Sequence, residues 1–287
     1  MAEIEKIQKS NIDPVFEQII PKKNPKRANR NSPIGLFDSG VGGLTVLAEV
    51  LKQLPHENAI YLADTARVPY GGRSPAEILK INCEILNFFA GEGVKLVIMA
   101  CGTSSAIAYQ KVKDQYDFPI VSMIEPGARA ALSVSKNKKI GVIATQNTIS
   151  THAFKKALPG AEVTEEACPL FVPLIEGGFI EAEETRKVAE EYLAPIKAAE
   201  VDTLILGCTH YPHLAGILRD IIKVELIDPA IEAVAEAKSI LASCSLFNGD
   251  LTEGRVAYYV TGSPAQFEVL GSKLLGKNIL GVKKIDL

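Results

Sequence analysis

Only five cysteines occur in 287 residues, and none of them forms a CxxC pair. That density excludes a disulfide framework and makes a reducing cytoplasm the expected compartment. Charge is nearly balanced, with a net charge of −3 and a pI of about 5.9. Neither a nucleic acid nor an anionic membrane is therefore an expected partner. No apolar run approaches the length of a membrane span. Glu3 and Glu5 stand where a secretory signal would need an apolar core, so export is not expected. Histidines number four. His56 and His152 read as surface residues, and His210 and His213 have no further ligands at a recognisable spacing, so no metal is expected.

What remains is ordinary soluble composition, 47% hydrophobic and 23% charged, in a length that suits one large or two medium domains. Residues 1–32 are polar and rich in Lys, Asn and Pro, with a basic cluster at Lys22-Lys23-Asn24-Pro25-Lys26-Arg27. They read as a partly ordered extension, or as a docking arm that meets an anion. From Pro33 onward strands alternate with helices, which predicts an α/β protein with mostly parallel sheets covered on both faces. Strands are expected at Ile34–Phe37, Ala59–Leu62, Leu96–Ala100, Ile120–Met123, Lys139–Ala144, near Val163, near Phe171, over Leu204 and its neighbours, at Glu225–Ile227 and at Arg255–Thr261. The helix from Ser74 to Gly91 opens on Ser-Pro-Ala-Glu, an N-cap with proline in the first turn.

The segment Leu204-Ile205-Leu206-Gly207-Cys208-Thr209-His210-Tyr211-Pro212 is an apolar run ending in a small nucleophile and polar residues. Leu96-Val97-Ile98-Met99-Ala100-Cys101-Gly102-Thr103-Ser104 has the same layout, and the two cysteines stand 107 residues apart. Ile34-Gly35-Leu36-Phe37-Asp38 matches Ile140-Gly141-Val142-Ile143-Ala144 at an offset of 106, and Tyr70-Gly71-Gly72 matches Glu176-Gly177-Gly178 at the same offset. These matches predict two pseudo-symmetric copies of one α/β unit. The expected division is an extension at 1–32, a first domain of 33–124 plus 229–287, and a second of 125–228. Open α/β sheets place ligands beyond the carboxyl ends of their strands. Cys101 and Cys208 should therefore face one cleft between the copies, each thiol eased toward ionisation by a helix N-terminus. Cys83, Cys168 and Cys244 read as structural residues.

Asp38-Ser39-Gly40-Val41-Gly42-Gly43 is not a GxGxxG fingerprint. It suits either a small-anion pocket at a helix N-terminus or a tight structural turn. Two thiols flanking one carbon can take a proton from one face and return one to the other. Such a pair inverts a stereocentre without a metal or an electron-sink cofactor, provided the pocket stabilises charge developing at that carbon.

The segments Gly35-Leu36-Phe37-Asp38-Ser39-Gly40-Val41-Gly42-Gly43-Leu44, Asp64-Thr65-Ala66-Arg67-Val68-Pro69-Tyr70-Gly71, Ala100-Cys101 and Gly207-Cys208-Thr209-His210-Tyr211-Pro212 resemble the glutamate racemases. That resemblance implies a cofactor-independent enzyme that makes D-glutamate for peptidoglycan with two cysteines as acid and base. By motif, Asp38, Ser39, Pro69, Tyr70, Gly71, Gly102, Thr103, Thr145, Thr209 and His210 would contact substrate. Asp38 would assist Cys101, and Glu176 and His210 would assist Cys208. A homodimer is the expected assembly. Where the family usually reads Cys-Asn-Thr, this chain reads Cys101-Gly102-Thr103. The resemblance implies that the missing Asn helps hold the substrate carboxylate, so binding is expected to be weaker by about 1.5–3 kcal/mol. Two other readings follow from Gly102: a racemase of a related acidic amino acid such as aspartate, or a weakly active glutamate-binding regulatory protein.

Overall fold

The computed structural model describes residues 28–250 and 252–287, so most of the expected extension lies outside the described residues. Among the described residues ten strands follow in order: β1 (Ile34–Asp38), β2 (Ala59–Ala63), β3 (Leu96–Met99), β4 (Ile120–Val121), β5 (Lys139–Ala144), β6 (Glu162–Ala167), β7 (Thr203–Leu206), β8 (Glu225–Ile227), β9 (Val256–Val260) and β10 (Lys283–Lys284). They form two parallel sheets, one of order β10-β9-β2-β1-β3-β4 and one of order β6-β5-β7-β8. The chain tail thus returns to the first sheet through β9 and β10.

Every residue of β1, β2 and β3 is buried. Such strands can be apolar throughout because helices cover both faces of a parallel sheet. Ile34, Leu36 and Tyr61 belong to the cluster on one face, and Phe37, Ile60 and Leu62 to the cluster on the other. The second sheet is enclosed the same way, with Ile143 and Leu204 on one side and Val142 and Ile205 on the other. Its edge strand β6, Glu-Val-Thr-Glu-Glu-Ala, keeps charge at the edge, where it discourages pairing with another chain.

The internal repeat is visible as topology. The order β2-β1-β3-β4 recurs as β6-β5-β7-β8, and Ile34 pairs with Leu96 as Ile140 pairs with Thr203. Equivalent strands β3 and β7 therefore deliver Cys101 and Cys208 at equivalent ends.

Local signals held where chemistry was specific. Ser74 and Glu77 form a reciprocal capping box, with Pro75 opening the helix Pro75–Glu92. Phe171 differs from expectation: it begins the helix Phe171–Glu176 rather than a strand. Phe171, Leu174 and Ile175 recur at helical spacing, and the Phe171 ring packs edge-on against Tyr192 and Tyr211. The strand at Ile120 stops at Val121, because the helix Ile124–Val134 follows almost at once. The helix after Cys101 is interrupted at Ala108, and Tyr211–Leu214 is a 3-10 turn preceding the helix Ala215–Ile221. Cys83 and Cys168 are buried, as structural cysteines should be, whereas Cys244 is exposed.

Candidate active site

A cavity of about 510 Å³ lies between the two sheets. Its wall carries every residue the sequence placed at the site. Asp38 and Ser39 close β1, while Pro69, Tyr70 and Gly71 come from the turn after β2. Cys101, Gly102 and Thr103 follow β3, and Thr145 follows β5. Glu176 ends the helix Phe171–Glu176, and Cys208, Thr209 and His210 follow β7. One cysteine from each copy of the unit thus faces a single cavity.

His210 links two of these groups. Its Nδ1 lies 3.8 Å from Cys208 Sγ, and its Nε2 lies 2.9 Å from Glu176 Oε1. Burial alone would push the imidazole down, but hydrogen bonds to Cys208 and Glu176, with Asp38 nearby, raise its pKa to about 10. A protonated His210 gives one N–H to sulfur and the other to the carboxylate. Gly42 makes room for this ring, since a Cβ there would lie 2.3 Å from His210 Nδ1.

Cys101 behaves differently from the expectation of an acidified thiol. Burial and then the Asp38 carboxylate push it up to about 12, although the Ser104 amide and hydroxyl act in the opposite direction. Position at a helix start does not offset loss of water. Asp38 also bears on the choice between a turn and an anion pocket for its loop. Its Oδ2 accepts the Gly40 and Gly43 amides at 3.2 and 3.0 Å. Those two donors are occupied by the chain's own carboxylate, which favours the structural turn for the Gly40 and Gly43 part of the loop. The second oxygen, Oδ1, is buried without a hydrogen-bond partner among the described residues.

Comparison with known proteins decides the family. The Asp/Glu/Hydantoin racemase model matches residues 38–237. The chain belongs to that racemase family. A glutamate racemase from Gloeobacter violaceus is 47% identical over 240 residues, covering 82% of this chain and 89% of that protein. The crystal structure of a glutamate racemase isoform from Bacillus anthracis superposes with a TM-score of 0.86 at 35% identity, covering 90% of this chain and 98% of that one. The glutamate racemase from Francisella tularensis, solved in complex with D-glutamate, gives 0.85 at 35% identity with the same coverage.

Against this racemase framework, two features of the site were not anticipated. Pro169, Val172 and Pro173 form a wall together with Gln146. The strand expected near Phe171 gives no such wall, whereas the prolines on either side of Phe171 are a signal for the helix start observed there. The hydroxyls of Thr103, Thr145 and Thr148 also meet across the cleft, with Thr145 Oγ1 2.9 Å from Thr103 and 3.0 Å from Thr148. Thr148 had no sequence signal beyond its position at a helix start.

The Gly102 substitution takes a new meaning. A Cβ at Gly102 would lie 2.4 Å from the Gly207 carbonyl oxygen. The two cysteine-bearing strand ends touch backbone to backbone here, so an asparagine does not fit the observed arrangement. A side chain at Gly102 would require the two strand ends to shift.

Proposed function

We propose that this racemase interconverts L- and D-glutamate by proton transfer between the substrate Cα and two cysteines, without a cofactor. The observation that carries the proposal is one cysteine from each pseudo-symmetric unit on a single cavity wall, with His210 bridging Cys208 and Glu176. The identity of the relatives supports glutamate as the substrate.

In the proposed cycle Cys101, whose thiol burial and Asp38 push up, starts as the acid, and Cys208, with a protonated His210 3.8 Å from its sulfur, starts as the base. Cys208 removes the Cα proton, and Cys101 delivers its own proton to the other face. The catalyst is left with the two protonation states exchanged, ready for the reverse direction. Asp38 Oδ1, which has no hydrogen-bond partner among the described residues, would accept a hydrogen bond from the substrate ammonium. The hydroxyls of Ser39, Thr103 and Thr209 supply donors for its carboxylates and for charge developing at Cα. Buried polar groups without partners cost stability, so leaving Oδ1 open is expected where a ligand completes it.

Conversion of L- to D-glutamate, followed by polarimetry, tests the proposal. Cys101→Ala and Cys208→Ala should each abolish turnover, and full activity in either would end the two-thiol account. The wild type should also favour glutamate over aspartate in kcat/KM. The role the resemblance implies is supply of D-glutamate for peptidoglycan in the cytoplasm. The expected assembly is a homodimer, for which the exposed Val269 and Leu280 offer apolar surface. No helix among the described residues is long and apolar enough to cross a membrane.

A further inference from the structure

One polar fastening crosses the seam beside the cavity without belonging to the chemistry above. The Asn147 side-chain amide donates to the Tyr70 carbonyl at 2.9 Å and to the Arg73 carbonyl at 2.8 Å. Both carbonyls belong to the turn Tyr70–Gly72 and its exit, which the first sheet presents as part of the cavity wall. Asn147 itself lies in the helix Gln146–Thr151 of the second sheet, one residue beyond the wall residue Gln146. Both hydrogens of one amide are therefore used to hold the ends of the opposite turn.

The turn is rigid on its own side. Tyr70 is buried, its hydroxyl donates to Asp64 Oδ2, and Asp64 also takes Arg67 Nε and the Thr261 hydroxyl. Because the turn is braced internally, the amide bonds fix its distance from the second sheet rather than its shape. We infer that Asn147 is a positioning residue that fastens the Tyr70–Arg73 rim to the second unit and so limits how far the cavity opens.

The kinetic part of the test rests on the proposed racemisation, whereas thiol labelling does not. Full-length wild type, Asn147→Ala and Asn147→Asp would be treated with a bulky aromatic disulfide, and modification of each cysteine followed by peptide mass spectrometry. Aspartate keeps the shape but offers no donor to either carbonyl. In both variants labelling of Cys101 and Cys208 should accelerate roughly tenfold, the change expected on losing two neutral hydrogen bonds. Labelling of the exposed Cys244 should not change. KM for L-glutamate should rise by a similar factor while kcat changes less than about twofold, and Asn147→Ser, with one donor, should fall between. Wild-type labelling and KM in a folded Asn147→Asp would overturn the inference. Absence of glutamate turnover in the wild type would instead count against the proposed function, leaving the labelling result to decide the latch.

Discussion

Gly102 meets Gly207 with no room for a side chain: a Cβ on the first would lie 2.4 Å from the carbonyl oxygen of the second. Both partners are main chain at the ends of β3 and β7, so neither can swing aside as a flexible side chain could. Gly102→Ala and Gly102→Asn should each force the strand ends apart and cost about 1–3 kcal/mol of stability, the usual range for overpacking. Both should also lower kcat/KM for glutamate by roughly tenfold or more, since misplacing reacting groups by about an ångström is expensive. Parallel measurements of Tm and kcat/KM decide the matter. Higher activity in Gly102→Asn would show that the strand ends part without cost.

His210 provides a pH signature. Its folded pKa, raised to about 10, lies above its ordinary 6.5. The stabilisation from its protonated form is therefore complete below about pH 6.5 and is lost as pH rises through 10. The Tm advantage of wild type over His210→Asn should be largest at or below pH 6 and should shrink steadily toward pH 10. A Tm difference independent of pH would contradict an imidazolium between Cys208 and Glu176.

A second buried charge lies far from the chemistry. Lys95, wholly buried, pairs with Glu57 and also donates to the Arg30 and Leu246 carbonyls at 2.7 and 2.9 Å. Burial lowers its pKa while Glu57 opposes the shift. The ammonium thereby ties the segment entering β1 to the loop after the helix Pro229–Ser243. Lys95→Met should cost about 3–5 kcal/mol, because it leaves an uncompensated buried carboxylate. Lys95→Met combined with Glu57→Gln should lose less than the two single changes added together, as coupled partners do. Urea titration of the four proteins measures this directly, and simple additivity would argue against a coupled pair.

Much of this architecture was legible because it rests on short-range rules. Apolar runs such as Leu96–Met99, ended by glycine, cysteine and threonine, identify buried parallel strands and the ends where ligands sit. The near-constant offset between Cys101 and Cys208 and between Ile34 and Ile140 discloses the duplication from sequence alone. What the sequence concealed depends on contacts across the seam. The helix at Phe171 was masked by a short apolar run whose period is ambiguous over so few residues. The raised Cys101 thiol reflects burial by distant elements, which a motif cannot convey. The same is true of Gly102, whose meaning comes from a carbonyl about a hundred residues away.

The central claim is that two sulfurs exchange protons with one substrate carbon. Incubating the protein with L-glutamate in D₂O, and following both enantiomers by mass spectrometry and NMR at low conversion, tests it most directly. The account predicts D-glutamate carrying one deuterium at Cα, delivered from the solvent-exchanged thiol, while the remaining L-glutamate stays unlabelled. D-glutamate that retains its original Cα hydrogen, or equal labelling of both enantiomers from the start, would contradict it.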